Sequence, residues 1–109
     1  MTEITVVIPN YNGLRFLEEC LQALYAQTPD TPEYEVVLVD NGSSDGSVEF
    51  VRENYPEVRI EALSENTGFS YAVNVGIEKA ASEYVILLNN DTKVKSEFIK
   101  YLYEAIEAR

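Results

Sequence analysis

The chain has 109 residues, 46% of them apolar, with 19 acidic and 8 basic side chains for a net charge of −11. That length suits one globular domain, residues 1–109, with a modest core, and the charge argues against nucleic acid or an anionic membrane surface as a passive partner. No histidine is present, which excludes a Ser-His triad and a histidine metal cage, and a single cysteine, Cys20, excludes an internal disulfide and a cysteine-based zinc site.

In chain order, residues 4–8 (ITVVI) are continuously apolar and β-branched, the signature of a strand buried on both faces of a parallel sheet. Pro9 and NYNG break it. From Leu14, apolar residues recur at Leu17, Cys20, Leu21 and Leu24, a helical spacing that places Cys20 in the core. Pro29 and Pro32 close that helix. Residues 35–39 (EVVLV) make a second buried strand, which runs into the turn-forming DNGSSDGS. Asp45 or Ser47 is expected to cap a short helix carrying Val48, Val51 and Tyr55, closed by Pro56. Residues 58–63 make a third, less regular strand. A helix then follows the SENTG loop, with Phe69, Ala72, Val73, Gly76, Ile77 and Ala80 on its inner side. YVILL (84–88) is a fourth strand, expected to be central and covered on both faces. Ser96 is placed to cap a last helix with Phe98, Ile99, Leu102 and Ile106 inside. The alternation predicts a three-layer α/β/α domain of βα units with a mostly parallel sheet.

In such a sheet, ligands bind beyond the carboxyl ends of the strands. Three of the four strands end there in polar clusters: Pro9, Asn10, Tyr11 and Asn12; Asp40, Asn41, Gly42, Ser43 and Ser44; Asn89, Asn90 and Asp91. Any βα loop favours such residues as caps and turns, and that suffices for Asn12, Gly13, Asn41, Gly42 and Asp45. Asp40 abuts its strand with no turn yet formed, and Asn89–Asp91 lie too far before Ser96 to cap the last helix. Tyr11 offers a flat surface on which a base can stack. The chain has neither G-x-G-x-x-G after the first strand nor a G-x-x-x-x-G-K-[ST] loop, so a phosphate must be held another way. A divalent cation, Mg²⁺ or Mn²⁺, on Asp91 fits, because such ions take one or two carboxylates and complete their shell with diphosphate oxygens and water.

TVVIPNYNG with FLEECLQAL, VVLVDNGSSDGS, NTGFSYAVNVGIEKA and YVILLNNDT, in that order, resembles the nucleotide-binding half of the inverting family 2 glycosyltransferases across essentially all 109 residues. The resemblance implies the Rossmann-like half of the GT-A fold of nucleotide-diphospho-sugar transferases. It implies that Pro9 and Tyr11 hold and stack the nucleobase, that Asp40 reads the base edge, and that Asn66 and Gly68 open a helix whose N-terminus suits a diphosphate. It places Asn89 and Asn90 on the ribose and Asp91 on the metal. The family's usual Asp-x-Asp reads Asn-Asn-Asp here, and NNDT is most similar to the rhamnosyl-type members of cell-surface polysaccharide assembly. Both UDP- and dTDP-linked donors remain open.

A GT-A domain of this family is about twice as long, so the chain is expected to be the N-terminal, donor-binding portion. The acceptor site and the catalytic base are then expected outside it, leaving no catalytic residue within it and no activity in the chain alone. The implied partners are a nucleotide diphosphate sugar and a glycan or lipid-linked acceptor, with self-association through the face left open. The expected compartment is the cytoplasm, at the cytoplasmic face of the membrane through segments not present here. The alternative is a non-catalytic nucleotide-binding module.

Overall fold

A computed structural model of the chain describes residues 2–108. Eight elements alternate: β1 (Ile4–Asn10), α1 (Leu14–Leu24), β2 (Tyr34–Asp40), α2 (Ser47–Asn54), β3 (Arg59–Ala62), α3 (Phe69–Lys79), β4 (Tyr84–Leu87) and α4 (Phe98–Glu107). Among the described residues the strands form one sheet in the order β3-β2-β1-β4, and each neighbouring pair is parallel. The chain steps from β1 through β2 to β3 in one direction. It then returns past both inner strands to lie beyond β1. Crossovers between parallel strands keep one hand, so a reversal of direction obliges the connecting helix to change face.

Strand side chains alternate between faces, and the core divides accordingly. Ile4, Val6, Ile8, Val36, Leu38, Ile86 and Leu88 pack with Leu17, Cys20, Leu21 and Leu24 of α1, Val51 of α2 and Ile99 of α4. Val7, Val37 and Val39 on the other face meet Ala72 of α3, with Leu63 and Val75 beside it. The second layer is thin. Ala72 and Gly76 bring little area, against about 1.5–3 kcal/mol for each Leu or Ile buried under the first face. Docking of α3 therefore depends on close approach. A Cβ at Gly76 would collide with Val7 Cγ1 and come within 3.2 Å of Val39 Cγ2.

Four expectations need correction. β4 is not central but an edge strand, and Val85 and Leu87 are 37% and 48% exposed because α3 covers β1 and β2 instead. The stripe of α3 that meets the sheet is centred on Ala72 and Gly76, so Phe69 and Ile77 fall on its flanks and are exposed. On α4 the inward residue is Ile99, with Phe98 and Tyr103 partly covered, while Leu102 and Ile106 face outward. The caps also differ. Glu97 precedes α4, and the Oε1 of Gln27, from beyond α1, accepts the Ile99 amide at 3.1 Å. Gly46 (φ +90°) precedes α2, and Asp45 reaches in from one residue earlier.

Asp45 serves two helices at once. Its Oδ1 accepts from Ser47 N at 3.0 Å, at the start of α2, and its Oδ2 accepts from Leu14 N at 3.0 Å, at the start of α1. Partial burial works against its charge. Hydrogen bonds from the Ser47 hydroxyl and from the Leu14 and Ser47 amides outweigh that and hold the carboxyl below its ordinary value of 3.8.

Two outcomes are expected. Gly76→Ala should destabilise the chain by about 1–2 kcal/mol, overpacking against Val7 exceeding the helix-propensity gain; urea denaturation measures this, and a variant as stable as the parent would show that α3 can move off the sheet. Asp45 has a depressed folded-state value, so its contribution is fully present above pH 3.8 and is lost as pH falls through the folded value. Asp45→Asn should therefore show a shallower loss of stability below about pH 4 in acid titrations followed by circular dichroism.

Candidate functional site

The parallel register brings the polar strand ends level. Asn10 pairs with Asp40 across β1 and β2, and the Asn41 amide donates to the Asn10 carbonyl at 2.8 Å. The order β3-β2-β1-β4 places the reversal of chain direction between β1 and β4. Beyond the carboxyl ends of strands at such a point an open sheet leaves a crevice.

A chain of side-chain hydrogen bonds crosses that crevice. Asp40, 2% exposed, accepts at Oδ1 from Asn10 Nδ2 (2.9 Å) and Ser43 Oγ (2.7 Å), and at Oδ2 from Ser43 N (2.9 Å). Asn10 Oδ1 in turn accepts from Asn90 Nδ2 at 2.8 Å. Residues from the ends of β1 and β2 and from just past β4 are thus joined. Gly13 lies against the joint: a Cβ there would overlap Asn90 Nδ2 and sit 2.5 Å from Asn10 Oδ1.

Asn41 builds the neighbouring wall. Its Nδ2 donates to Asn66 Oδ1 (2.9 Å) and to the Gly68 carbonyl (3.1 Å), and its Oδ1 accepts from the amide (2.8 Å) and hydroxyl (2.9 Å) of Thr67. All four hydrogen-bonding positions of this amide are used. The loop before α3 is therefore pinned to the end of β2. Gly68, at φ +89° and ψ 158°, occupies a region open essentially to glycine alone, and from it the chain turns into the first residue of α3, Phe69.

Between these walls lies a cavity of about 200 Å³ lined by Pro9, Asn10, Tyr11, Asn41, Asn66, Phe69 and Ala72. It is smaller than the roughly 300–1,000 Å³ of sites that enclose whole ligands, so it suits one flat portion of a larger molecule. Tyr11 and Phe69 are 50% and 57% exposed, and they offer aromatic surface above a floor of amides.

Asp91 opens onto a different cavity, of about 290 Å³, with Arg15, Phe16, Glu19, Cys20, Thr92 and Lys93. Two cations thus accompany the carboxylates there. Cys20 is an inert part of its wall: burial, aided by the charge of Asp91, pushes the thiol up to about 11. Among the described residues no group of three or more His, Cys, Asp or Glu side chains could hold a metal ion. Asp91 fits a cation only together with ligands supplied by a bound molecule.

The residues singled out in the sequence therefore fall in three places. Pro9, Tyr11 and Asn66 line the first cavity, and Gly68 shapes its rim. Asp40 and Asn90 belong to the hydrogen-bond chain, and Asp40 is not in the cavity lining. Asp91 faces the second cavity, while Asn89 contributes its carbonyl to Thr92 N (3.1 Å) and to the Cys20 thiol (3.9 Å). Asn10, Asn41 and Phe69 went unassigned. Asn10 was within reach of sequence reasoning, as the residue ending β1 opposite Asp40. Asn41 was not, because it is indistinguishable in sequence from an ordinary turn amide.

The sequence matches the family model described as Glycosyl transferase family 2 over residues 5–109. It is similar to glycosyltransferase GlyG of Streptococcus pneumoniae, 33% identical over 111 residues, covering 97% of this chain and 36% of that protein. The crystal structure of S. aureus TarS 1–349 in complex with UDP superimposes with a TM-score of 0.88 at 26% identity, covering 98% of this chain and 32% of that one. Mannosyltransferase PcManGT from Pyrobaculum calidifontis, in complex with GDP-Man and Mn²⁺, gives a TM-score of 0.74 at 32% identity, with coverages of 82% and 27%. The chain thus spans about a third of the length of GlyG. The alternating βα units, the parallel sheet and the match over nearly every residue agree, and the chain belongs to glycosyl transferase family 2.

Proposed function

We propose that this chain binds the donor in a glycosyl transfer, in which a sugar passes from a nucleoside diphosphate to an acceptor hydroxyl of a glycan or lipid-linked chain with inversion. The observation that carries the reading is the cavity at the carboxyl edge of β1 and β2. Its aromatic lips, Tyr11 and Phe69, suit a nucleobase, and a hydrogen bond leads from Asn10 in its lining to Asn90, the neighbour in sequence of Asp91. The relatives add support: TarS is named a poly(ribitol-phosphate) beta-N-acetylglucosaminyltransferase and has been crystallised with UDP and UDP-GlcNAc. Assembly of a cell-surface polysaccharide is the corresponding proposal for the whole protein.

In this reading Tyr11 and Phe69 stack the base, and the lone pair of Asp40 Oδ2 not taken by Ser43 N accepts an imide N–H. Pro9 and Asn66 complete the base pocket. Gly68 frees the first amides of α3 toward the phosphates. Asn89 and Asn90 flank the ribose. A divalent cation, as in the PcManGT complex, would be held by Asp91 and the diphosphate and would offset the leaving group's charge. Arg15 and Lys93 add positive charge at the same cavity, which matters in a chain of net charge −11. The residues of this chain bind and orient; we assign no catalytic base among them. The open edge of β4, with Val85 and Leu87, is the surface we propose for self-association.

Calorimetric titration with UDP, dTDP and GDP, each with Mn²⁺ or with a chelator, tests the reading. One of them should bind, and Mn²⁺ should tighten it, because metal and diphosphate supply ligands to each other. Asp91→Ala should remove the Mn²⁺ enhancement and leave the metal-free affinity. Tyr11→Ala and Phe69→Ala should each weaken binding by about 1–3 kcal/mol, the usual worth of a base stacked on an aromatic ring. Asp40→Asn should weaken it by about 1–3 kcal/mol through a mispaired buried group. Full Mn²⁺ enhancement in Asp91→Ala would reduce Asn89–Asp91 to a turn.

A further inference from the structure

We infer that Ser43 is a positioning residue for base selection: its hydroxyl locks the ring of Tyr11 and the carboxylate of Asp40 into one unit, and discrimination between nucleobases depends on it. The inference rests on the donor-binding reading and deepens it.

A hydroxyl has one hydrogen to give and two lone pairs to offer, and Ser43 uses all three. An ionised carboxylate only accepts and a backbone N–H only donates, so the direction of each bond is forced. Ser43 Oγ donates to Asp40 Oδ1 at 2.7 Å and accepts from Asn12 N at 2.8 Å, with Asn10 Nδ2 at 3.4 Å on its second lone pair. The Ser43 amide donates to Asp40 Oδ2 at 2.9 Å. Ser43 thus supplies both carboxylate oxygens, and Asn10 Nδ2 adds the remaining bond, to Oδ1 at 2.9 Å. A carboxylate has about four acceptor sites, so the one left for a ligand is on Oδ2. Without the hydroxyl, Oδ1 would regain a lone pair and the carboxylate would lose the bond that fixes its plane.

The same oxygen reaches the loop after β1. Tyr11 lies between two anchored residues. Asn10, before it, gives its carbonyl to the Asn41 amide at 2.8 Å. Asn12, after it, donates its amide to Ser43 Oγ, and its Oδ1 accepts from Ser44 N at 2.8 Å. Asn12 sits at φ +50°, the left-handed region, which asparagine tolerates better than most residues. Among the described residues no second ring or cation stacks on Tyr11. Its direction is therefore set by the backbone on either side, and that backbone is pinned to the loop after β2. Stacking and edge reading come from different strands, and one hydroxyl joins them.

A base is selected by what its edge offers. Uracil, thymine and guanine carry a ring N–H, a donor to the free site on Asp40. Cytosine and adenine carry a bare ring nitrogen at the corresponding place, which would meet the carboxylate lone pair to lone pair. Stacking does not make this distinction, because every base has a π-face.

The test is calorimetry of the chain in Mn²⁺ with UDP against CDP and with GDP against ADP, read as the ratio of affinities within the pair that binds. The parent should favour the member with the ring N–H by about 5- to 150-fold, the cost of leaving a buried acceptor unpaired. Ser43→Ala should cut that ratio by about 2- to 12-fold, the span of a single neutral hydrogen bond, and Ser43→Thr, which keeps the hydroxyl, should restore it. Asn12→Gly keeps the left-handed backbone and loses only the bond to Ser44. It should weaken both members of the pair alike, leave the ratio unchanged, and have no further effect in the Tyr11→Ala background, since it acts through that ring. Should Ser43→Ala fail to fold by circular dichroism, Ser43→Cys, whose thiol is a weak donor and acceptor, should lower the same ratio. A parent that does not discriminate, a Ser43→Ala that keeps the full ratio, a Ser43→Thr as impaired as Ser43→Ala, or an Asn12→Gly effect that persists without the Tyr11 ring overturns the inference while leaving donor binding intact. Absence of binding by any nucleoside diphosphate overturns the donor-binding reading and this inference with it.

Discussion

A carboxylate buried at the end of a parallel strand has to be surrounded by donors, and the carboxyl edge of this molecule is arranged around that demand. Asp40 takes three hydrogen bonds from Asn10 and Ser43. Removing any of these donors would leave an acceptor short of a partner in a place water hardly reaches, a defect worth about 1–3 kcal/mol. The demand propagates. Asn10 must sit opposite Asp40, which the register of β1 and β2 provides. The loop after β2 must curl back so that Ser43 returns to its own strand end. Asn90 must then satisfy the far side of Asn10. Rigidity at the strand ends is therefore a by-product of satisfying one charged group.

Topology explains why this polar edge is also a crevice. The chain uses one face of the sheet to travel outward and the other to travel back, so the loops after β1 and β2 lead to helices on one face while α3 starts on the other, and a gap opens at the carboxyl edge between them. Only side chains bridge the gap. The two faces are unequally furnished: three helices pack large aliphatic residues under one, while α3 lies on the other through Ala72 and Gly76. A helix that approaches so closely is held at a fixed height above β1 and β2. Its first residue, Phe69, and the loop clamped by Asn41 inherit that placement.

Much of this was legible in the sequence because period-two and period-3.6 patterns report burial directly. ITVVI, EVVLV and the Leu17–Leu24 spacing gave their elements to within a residue or two, and the polar residues at strand ends pointed to one edge. What was not legible depends on neighbours distant in the chain. YVIL is as apolar as ITVVI, yet β4 is an edge strand, because apolar content does not distinguish a strand covered by its own helices from one left open. The outward Phe69 and Leu102 follow a helical pattern that fits two different faces, and only the packing of Gly76 on Val7 or of Ile99 on the sheet selects one. The cap of α4 was misjudged for the same reason, because Gln27 acts on it across a long stretch of chain, and Asp45, expected at α2, also serves the distant start of α1. Within the site, Asn41 resembled every other turn asparagine, and only its four simultaneous hydrogen bonds distinguish it.

The open edge of β4 has a colloidal consequence. Sheets with a free strand usually guard it with a lysine, a proline or a bulge, and Tyr84–Leu87 has none of these within it. The guard here is diffuse: a net charge of −11 on 109 residues makes two copies repel before their strands can meet. Such repulsion reaches about 8–10 Å at physiological ionic strength but only about 3 Å at molar salt, less than the roughly 4.8 Å between paired strands. For the self-association proposed at this edge, ionic strength would act as a valve: dilute buffer would keep the molecules apart, and concentrated salt would let the strand edge of one sheet come within reach of the next.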